Sequence, residues 1–266
     1  MTLIVTADDL GISPGVTRGV VEAHRRGIVR SASLAVTFPS SPEAAALSRT
    51  EPDLEVGLHL DVVGGEPVSD PKQVPSLCNA DGRFHRLAEF TRRLVTGRIR
   101  AGDLATEIRA QAALARSWGI EICAWDSHRH VHLLPPVALV AGALAKQEGV
   151  RWIRRARSPR AWSGPKQIAL RAASFASALA YRGISGPTWY LDLTSERPRL
   201  DAAGVALLAT YGGVGELSCH PGYVDQPLRD SGDELVERRA DDLRLVTDPL
   251  LRIALGTDAV RWRVPS

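Results

Sequence analysis

Asp126-Ser127-His128-Arg129-His130-Val131-His132 packs three of the chain's seven histidines and a carboxylate into seven residues directly behind an apolar run. In an extended conformation residues 126, 128, 130 and 132 share one face, which is how a strand end presents nitrogen and oxygen donors to a metal. Imidazole suits zinc and several other divalent ions, yet a site needs three or four donors converging in space. Three more segments offer them. Asp8-Asp9 follows an apolar run and precedes Gly11-Ile12-Ser13-Pro14, His59 closes Val56-Gly57-Leu58, and His220 follows Glu216-Leu217-Ser218-Cys219 ahead of Pro221-Gly222-Tyr223.

Taken singly, each has a plainer reading. An isolated Asp-Asp more often begins a turn or caps the next helix, and a lone histidine at the end of an apolar run is more often a hydrogen-bonded core residue. Adjacent carboxylates are also able to divide labour, one binding a metal while the other acts as a base. Together the segments provide one aspartate and two histidines as a metal triad, with an aspartate and a histidine left over as base and acid. His24 and His85 stand outside these segments and read as surface residues.

The elements that must position these groups follow from periodicity. Apolar runs at 3–7, 33–36, 55–60, 121–125, 150–154, 188–191 and 214–219 alternate with segments of helical period. That is the pattern of β-α units around a mainly parallel sheet, with a strand number close to that of a barrel. In barrels the C-terminal strand ends carry the active site, and Asp8, Asp9, His59, Asp126, His128 and His220 all fall at such ends. Ser13 and Pro14 predict a helix start closed by Gly27, and Ser41-Pro42-Glu43 repeats the signal. Helices are also predicted over 104–118 before Gly119, over 136–148 before Gly149, and from Pro249 to near Gly256, while 168–180 reads as a packed helix. The whole of 1–266 reads as a single domain with loop insertions near 62–86 and 155–187.

Composition narrows the function. Thirty-three basic residues against 30 acidic ones leave a net charge of +3, too small an excess for the clustered stripe of a nucleic-acid-binding protein. The one basic run, Arg151, Arg154, Arg155, Arg157 and Arg160, reads as a solvated loop or as a contact to an anionic or polar ligand. Cys78, Cys123 and Cys219 are odd in number and widely spaced, which argues against a disulfide framework and for a reduced, cytoplasmic protein. Neither a secretory signal nor a transmembrane span is predicted. Trp162, Trp189 and Tyr223 are placed either to stack on a sugar ring or to fill the core.

Five motifs, Thr6 to Ser13, Glu22 to Val29, Gly57 to Leu60, Asp126 to His132 and Glu216 to Tyr223, run in order along nearly the whole chain. As a set they resemble the YdjC-like carbohydrate deacetylases, the family of chitooligosaccharide deacetylase. Within it the sequence is similar to the branch associated with hopanoid biosynthesis, which acts on an N-acetylglucosaminyl lipid. Thr6 stands where the family usually has Asn, and Arg129 where it often has His.

The resemblance implies an irregular (β/α) barrel related to the TIM barrel, with one divalent metal, zinc or magnesium, at its C-terminal face. It implies Asp9, His59 and His128 as metal ligands, Asp8 as general base and His220 as general acid. Asp126, His130, His132, Arg154, Glu216, Pro221 and Tyr223 would support the ligands or line the substrate pocket. The implied substrate is an acetylated amino sugar hydrolysed to acetate and a free amine, with peripheral membrane contact if that sugar is carried on a lipid. A homodimer is consistent with the family. On the residues alone two other readings stand: a metal phosphoesterase, with Arg154 and Arg155 on the phosphate, or a non-catalytic sugar-binding protein.

Overall fold

The computed structural model describes residues 2–159, 164–196, 208 and 210–255. Arg160 and Trp162 lie outside them. The strands are β1 (Thr2–Leu10), β2 (Ser31–Leu34), β3 (Glu55–Leu60), β4 (Ala124–Ser127), β5 (Trp152–Ile153), β6 (Trp189–Asp192) and β7 (Val214–Cys219). They form one sheet in the order β5-β4-β3-β2-β1-β7-β6, every neighbouring pair parallel. The barrel expected from the sequence is thus a curled sheet with β5 and β6 at its ends, and a lone bridge between Trp152 and Ser185 lies beyond the β5 end. Most strand residues are buried on both faces, which is why these strands read as near-continuous apolar runs.

The connecting helices are α1 (Pro14–Arg26), α2 (Ser41–Ser48), α3 (Leu87–Val95), α4 (Ala101–Ser117), α5 (Pro135–Gln147), α6 (Pro165–Ala176), α7 (Leu193–Glu196), α8 (Gln226–Asp230), α9 (Val236–Val246) and α10 (Pro249–Leu255). The start of α1 is as read: Ser13 Oγ accepts from Val16 N at 3.1 Å and Pro14 is the first helical residue. Gly19 faces the turn behind β7, where a Cβ would lie 2.5 Å from Gly222 Cα. Only glycine lets the helix press that close.

Several expectations need correction. His24 and His85 are buried, not on the surface. The His24 ring bonds Val29 O at 3.0 Å, and His85 lies within the 62–86 insertion, its main chain bonded to Leu77 O and to Gly64 N. That insertion is pinned by helix α4, whose Glu107 accepts from Val68 N and Ser69 N and whose Asp103 accepts from Ser76 N. Val62, Val63, Val74, Leu77 and Phe84 then pack against Phe90, Leu104 and Val131 as a small core of their own. Helix α6 occupies much of the 155–187 insertion, and its outward face is exposed where a packed helix was expected. Helices α3, α7, α8 and α9 were not read from the sequence, and β5 shrinks to two residues. Among the described residues no helix is long and apolar enough to cross a membrane.

Candidate active site

Strand β1 delivers two carboxylates by breaking its own regularity. Neighbouring residues of a strand point to opposite faces, so Asp8 and Asp9 would ordinarily diverge. The β1–β2 register slips between Ala7 and Leu10, and Asp9 adopts a left-handed backbone with φ 64°. Both carboxylates consequently enter one cluster. A non-glycine residue in that conformation costs on the order of 1 kcal/mol, so surrounding contacts must hold it. Arg239 of α9 does so: this fully buried guanidinium donates to Asp9 Oδ2 at 2.6 Å and to Asp233 Oδ2 at 2.8 Å. Burial opposes ionisation of Asp9, but Arg239 and then His128 and His59 outweigh it and hold its pKa well below the carboxylate range.

His59 ends β3 in register with Asp126 on β4. Its Nδ1 lies 2.7 Å from Asp126 Oδ1 and its Nε2 lies 3.2 Å from Asp9 Oδ1. Burial disfavours the imidazolium, yet Asp126 and then Asp9 raise its pKa well above the ordinary value. His128 begins where β4 stops, with Nδ1 3.5 Å from Asp9 Oδ1 and its ring edge-on to His59 at 6.0 Å.

The shared face expected for residues 126–132 is not present. Arg129 and His130 take left-handed φ of 56° and 55°, and the segment coils tightly over His128–Leu133. His128 therefore turns to Asp9, His130 to the Tyr190 ring at 5.5 Å, and His132 into the interior. There His132 accepts from Ser127 Oγ at 2.6 Å and donates through Nε2 to Arg154 O at 3.0 Å. Burial, offset in part by that carbonyl, pushes its pKa down to about 4.

Arg154, just past β5, is the electrostatic centre. It is almost fully buried and binds three carboxylates: Asp8 through Nη1 at 2.6 Å and Nη2 at 2.7 Å, Asp126 through Nη2 at 2.8 Å, and Glu216 through Nε at 2.8 Å. Burial raises the pKa of Glu216 despite this pairing, whereas in Asp126 burial is outweighed by Arg154 and His59 and the pKa falls. Ser33 Oγ sits 3.1 Å from Asp8 Oδ1 and 2.7 Å from Asp126 Oδ2. Arg155 is likewise committed, to the carbonyls of Tyr181 and Ile184. Arg154 is thus engaged by carboxylates and Arg155 Nη2 by main-chain carbonyls.

His220 follows β7 with Nε2 3.9 Å from Asp8 Oδ2. Behind it Thr194 Oγ1 lies 2.8 Å from Nδ1 and donates its own proton to Asp242, so Nδ1 carries a hydrogen. Asp242 also accepts from His220 N at 2.9 Å, and Asp192 lies 4.0 Å from Nδ1. Pro221 is buried and turns the chain. Tyr223 is not drawn to the cluster; it is 42% exposed and its hydroxyl is held by Glu22 on α1. Trp189 is buried against Tyr211. Ser33, Asp192, Thr194, Asp233, Arg239 and Asp242 escaped the sequence reading because nothing in their spacing marks them.

Among the described residues, two sets of donors have their ligand atoms within 4.8 Å of one another: Asp9, His59 and His128, and Asp8, His59 and Asp126. The first fits a divalent cation, because one carboxylate oxygen faces an imidazole nitrogen of each histidine while Asp126 fixes the His59 ring from behind. The second does not, since both its carboxylates are held by Arg154.

The family described as YdjC-like protein matches residues 2–256. A carbohydrate deacetylase of Geobacillus stearothermophilus is 36% identical over 253 residues, covering 93% of this chain and 90% of the relative. A chitooligosaccharide deacetylase of Klebsiella pneumoniae strain 342 is 31% identical over 260 residues, covering 97% and 96%. A crystal structure from Enterococcus faecalis V583, described as a candidate cellobiose-phosphate cleavage protein, superposes with a TM-score of 0.80 at 25% identity over 96% of this chain and 94% of that one.

Proposed function

The chain belongs to the YdjC-like family, and from that premise we propose that it is a metal-dependent deacetylase that hydrolyses the N-acetyl group of an acetylated amino sugar. The observation that carries the reading is the approach of Asp8 Oδ2 and His220 Nε2 to 3.9 Å beside the trio of Asp9, His59 and His128. A base, an acid and a cation site would then share one side-chain cluster at the strand ends. Asp9, His59 and His128 would hold one divalent ion, which supplies Lewis acidity toward the acetamide carbonyl.

Asp8 accepts the proton of the attacking water as the new C–O bond forms. One guanidinium shared among three carboxylates keeps Asp8 fixed, and while Oδ1 also accepts from Ser33, Oδ2, the oxygen 3.9 Å from His220, retains a lone pair beyond its arginine bond. His220 donates a proton from Nε2 to the departing nitrogen as the C–N bond breaks. Acetate and the free amine result. Thr194, Asp192 and Asp242 keep the Nδ1 side of that ring proton-bearing. Both arginines of the phosphoesterase alternative are occupied, which disfavours it.

The substrate is either a chitooligosaccharide or an N-acetylglucosaminyl glycolipid such as a hopanoid. Three buried free cysteines support a cytoplasmic setting. The test is to incubate metal-loaded protein with diacetylchitobiose and with acetylglucosaminyl-hopanoid and to measure acetate. Release from one substrate alone assigns the substrate class, and release from neither removes the proposal.

A further inference from the structure

Among the described residues, helix α6 offers the longest run of exposed apolar side chains at helical spacing. Ile168, Ala172, Phe175 and Leu179 recur at helical spacing along α6 and the turn after it, and Ile168, Phe175 and Leu179 are 53%, 80% and 81% exposed. Ala169 and Ala176 widen the same face. The inner side, with Leu170 and Ala173, already packs on the core. An exposed apolar run of this length marks a contact made with something else.

The charge around it identifies the partner. Residues 149–191 contain eight Lys or Arg and no Asp or Glu, leaving 25 of the 33 basic residues against all 30 acidic ones in the rest of the chain. Arg154 is internally neutralised, Arg155 bonds main-chain carbonyls, Lys166 pairs with Asp192, Arg151 lies 3.9 Å from Glu121 and Arg171 donates to Ser158 O, while Arg182 is exposed directly after the stripe. An apolar helical face set in a basic segment matches the surface of an anionic bilayer, where the side chains enter the acyl boundary and the cations meet headgroups. A second copy fits less well, because a two-fold contact would set this basic segment against itself.

We propose that the outward face of α6 docks the protein on an anionic lipid surface. The Lys166–Asp192 bond of 2.9 Å ties the start of α6 to the strand end beside His220, so a docked bilayer would lie near the rim of the candidate active site. The inference concerns adhesion alone and stands apart from the chemistry proposed above.

The test sediments the full chain with vesicles of phosphatidylcholine, with or without phosphatidylglycerol. The expected result is binding to the anionic vesicles that weakens with salt. The variant Phe175→Glu/Leu179→Glu should lower the partition coefficient by about tenfold or more, with unchanged circular dichroism and thermal transition. Arg182→Glu should weaken anionic binding alone. Absence of vesicle binding, or undiminished binding by the double variant, overturns the proposal. So does a dimer in sedimentation velocity that the double variant dissolves without any vesicle binding, which would assign the face to a second copy. Acetate release from diacetylchitobiose, measured on the same samples, reads the deacetylase proposal independently.

Discussion

Arg154 and Arg239 give the two adjacent aspartates different characters. Arg154 divides its charge among Asp8, Asp126 and Glu216, whereas Arg239 divides its charge between Asp9 and Asp233 alone. Asp8→Asn should therefore retain metal by elemental analysis and lose turnover by about 100-fold or more, and near wild-type turnover would remove it as base. His220→Ala should behave in the same way, and loss of the ion would make it a ligand. Asp9→Ala or His128→Ala should instead lose the metal; full occupancy in either would sink the ligand assignment. Arg239→Met leaves Asp9 buried without its cation, and metal affinity should fall by roughly 10- to 100-fold in a chelator competition. Unchanged affinity in a folded variant would reduce Arg239 to a packing role.

At the scale of elements, the strand ends matter more than the strands. The bounds of β3 and β7 were legible because apolar runs there meet Leu60-Asp61 and Pro221-Gly222. Those of β4 were not: the apolar run reads as 121–125 whereas the strand is Ala124–Ser127, after which the backbone leaves through left-handed Arg129 and His130. No propensity announces that conformation in two non-glycine residues. The candidate ligands were legible as motifs and the resemblance named Asp126, Arg154 and Glu216 around them, but the residues alone left Arg154 as a solvated or ligand-facing cation because its carboxylate partners are distant in sequence, 146 residues away for Asp8. The tightest element contact yields its own prediction. Gly19→Ala forces α1 against Gly222, so chemical denaturation should show a loss of about 1–3 kcal/mol. Because the displaced turn follows His220, kcat should fall while metal occupancy stays constant, and a fall in occupancy would mean the strain spreads beyond β7.

For the molecule as a whole, acid stability follows from its buried groups. The His132 pKa lies near 4 in the fold against 6.5 unfolded, so its stabilising contribution is complete above 6.5 and disappears as pH falls toward 4. Over that interval the wild type should lose on the order of 3 kcal/mol more stability than His132→Gln in guanidinium denaturation. Parallel pH profiles would contradict a neutral buried imidazole. The strand order bears on how the chain is made. Because β1 is interior, lying between β2 and β7, it keeps an unpaired edge until Val214–Cys219 has been synthesised. The nascent chain thus carries an open hydrogen-bonding edge and two buried-to-be aspartates for most of its translation, which makes this strand the place where premature association with other chains is most easily begun.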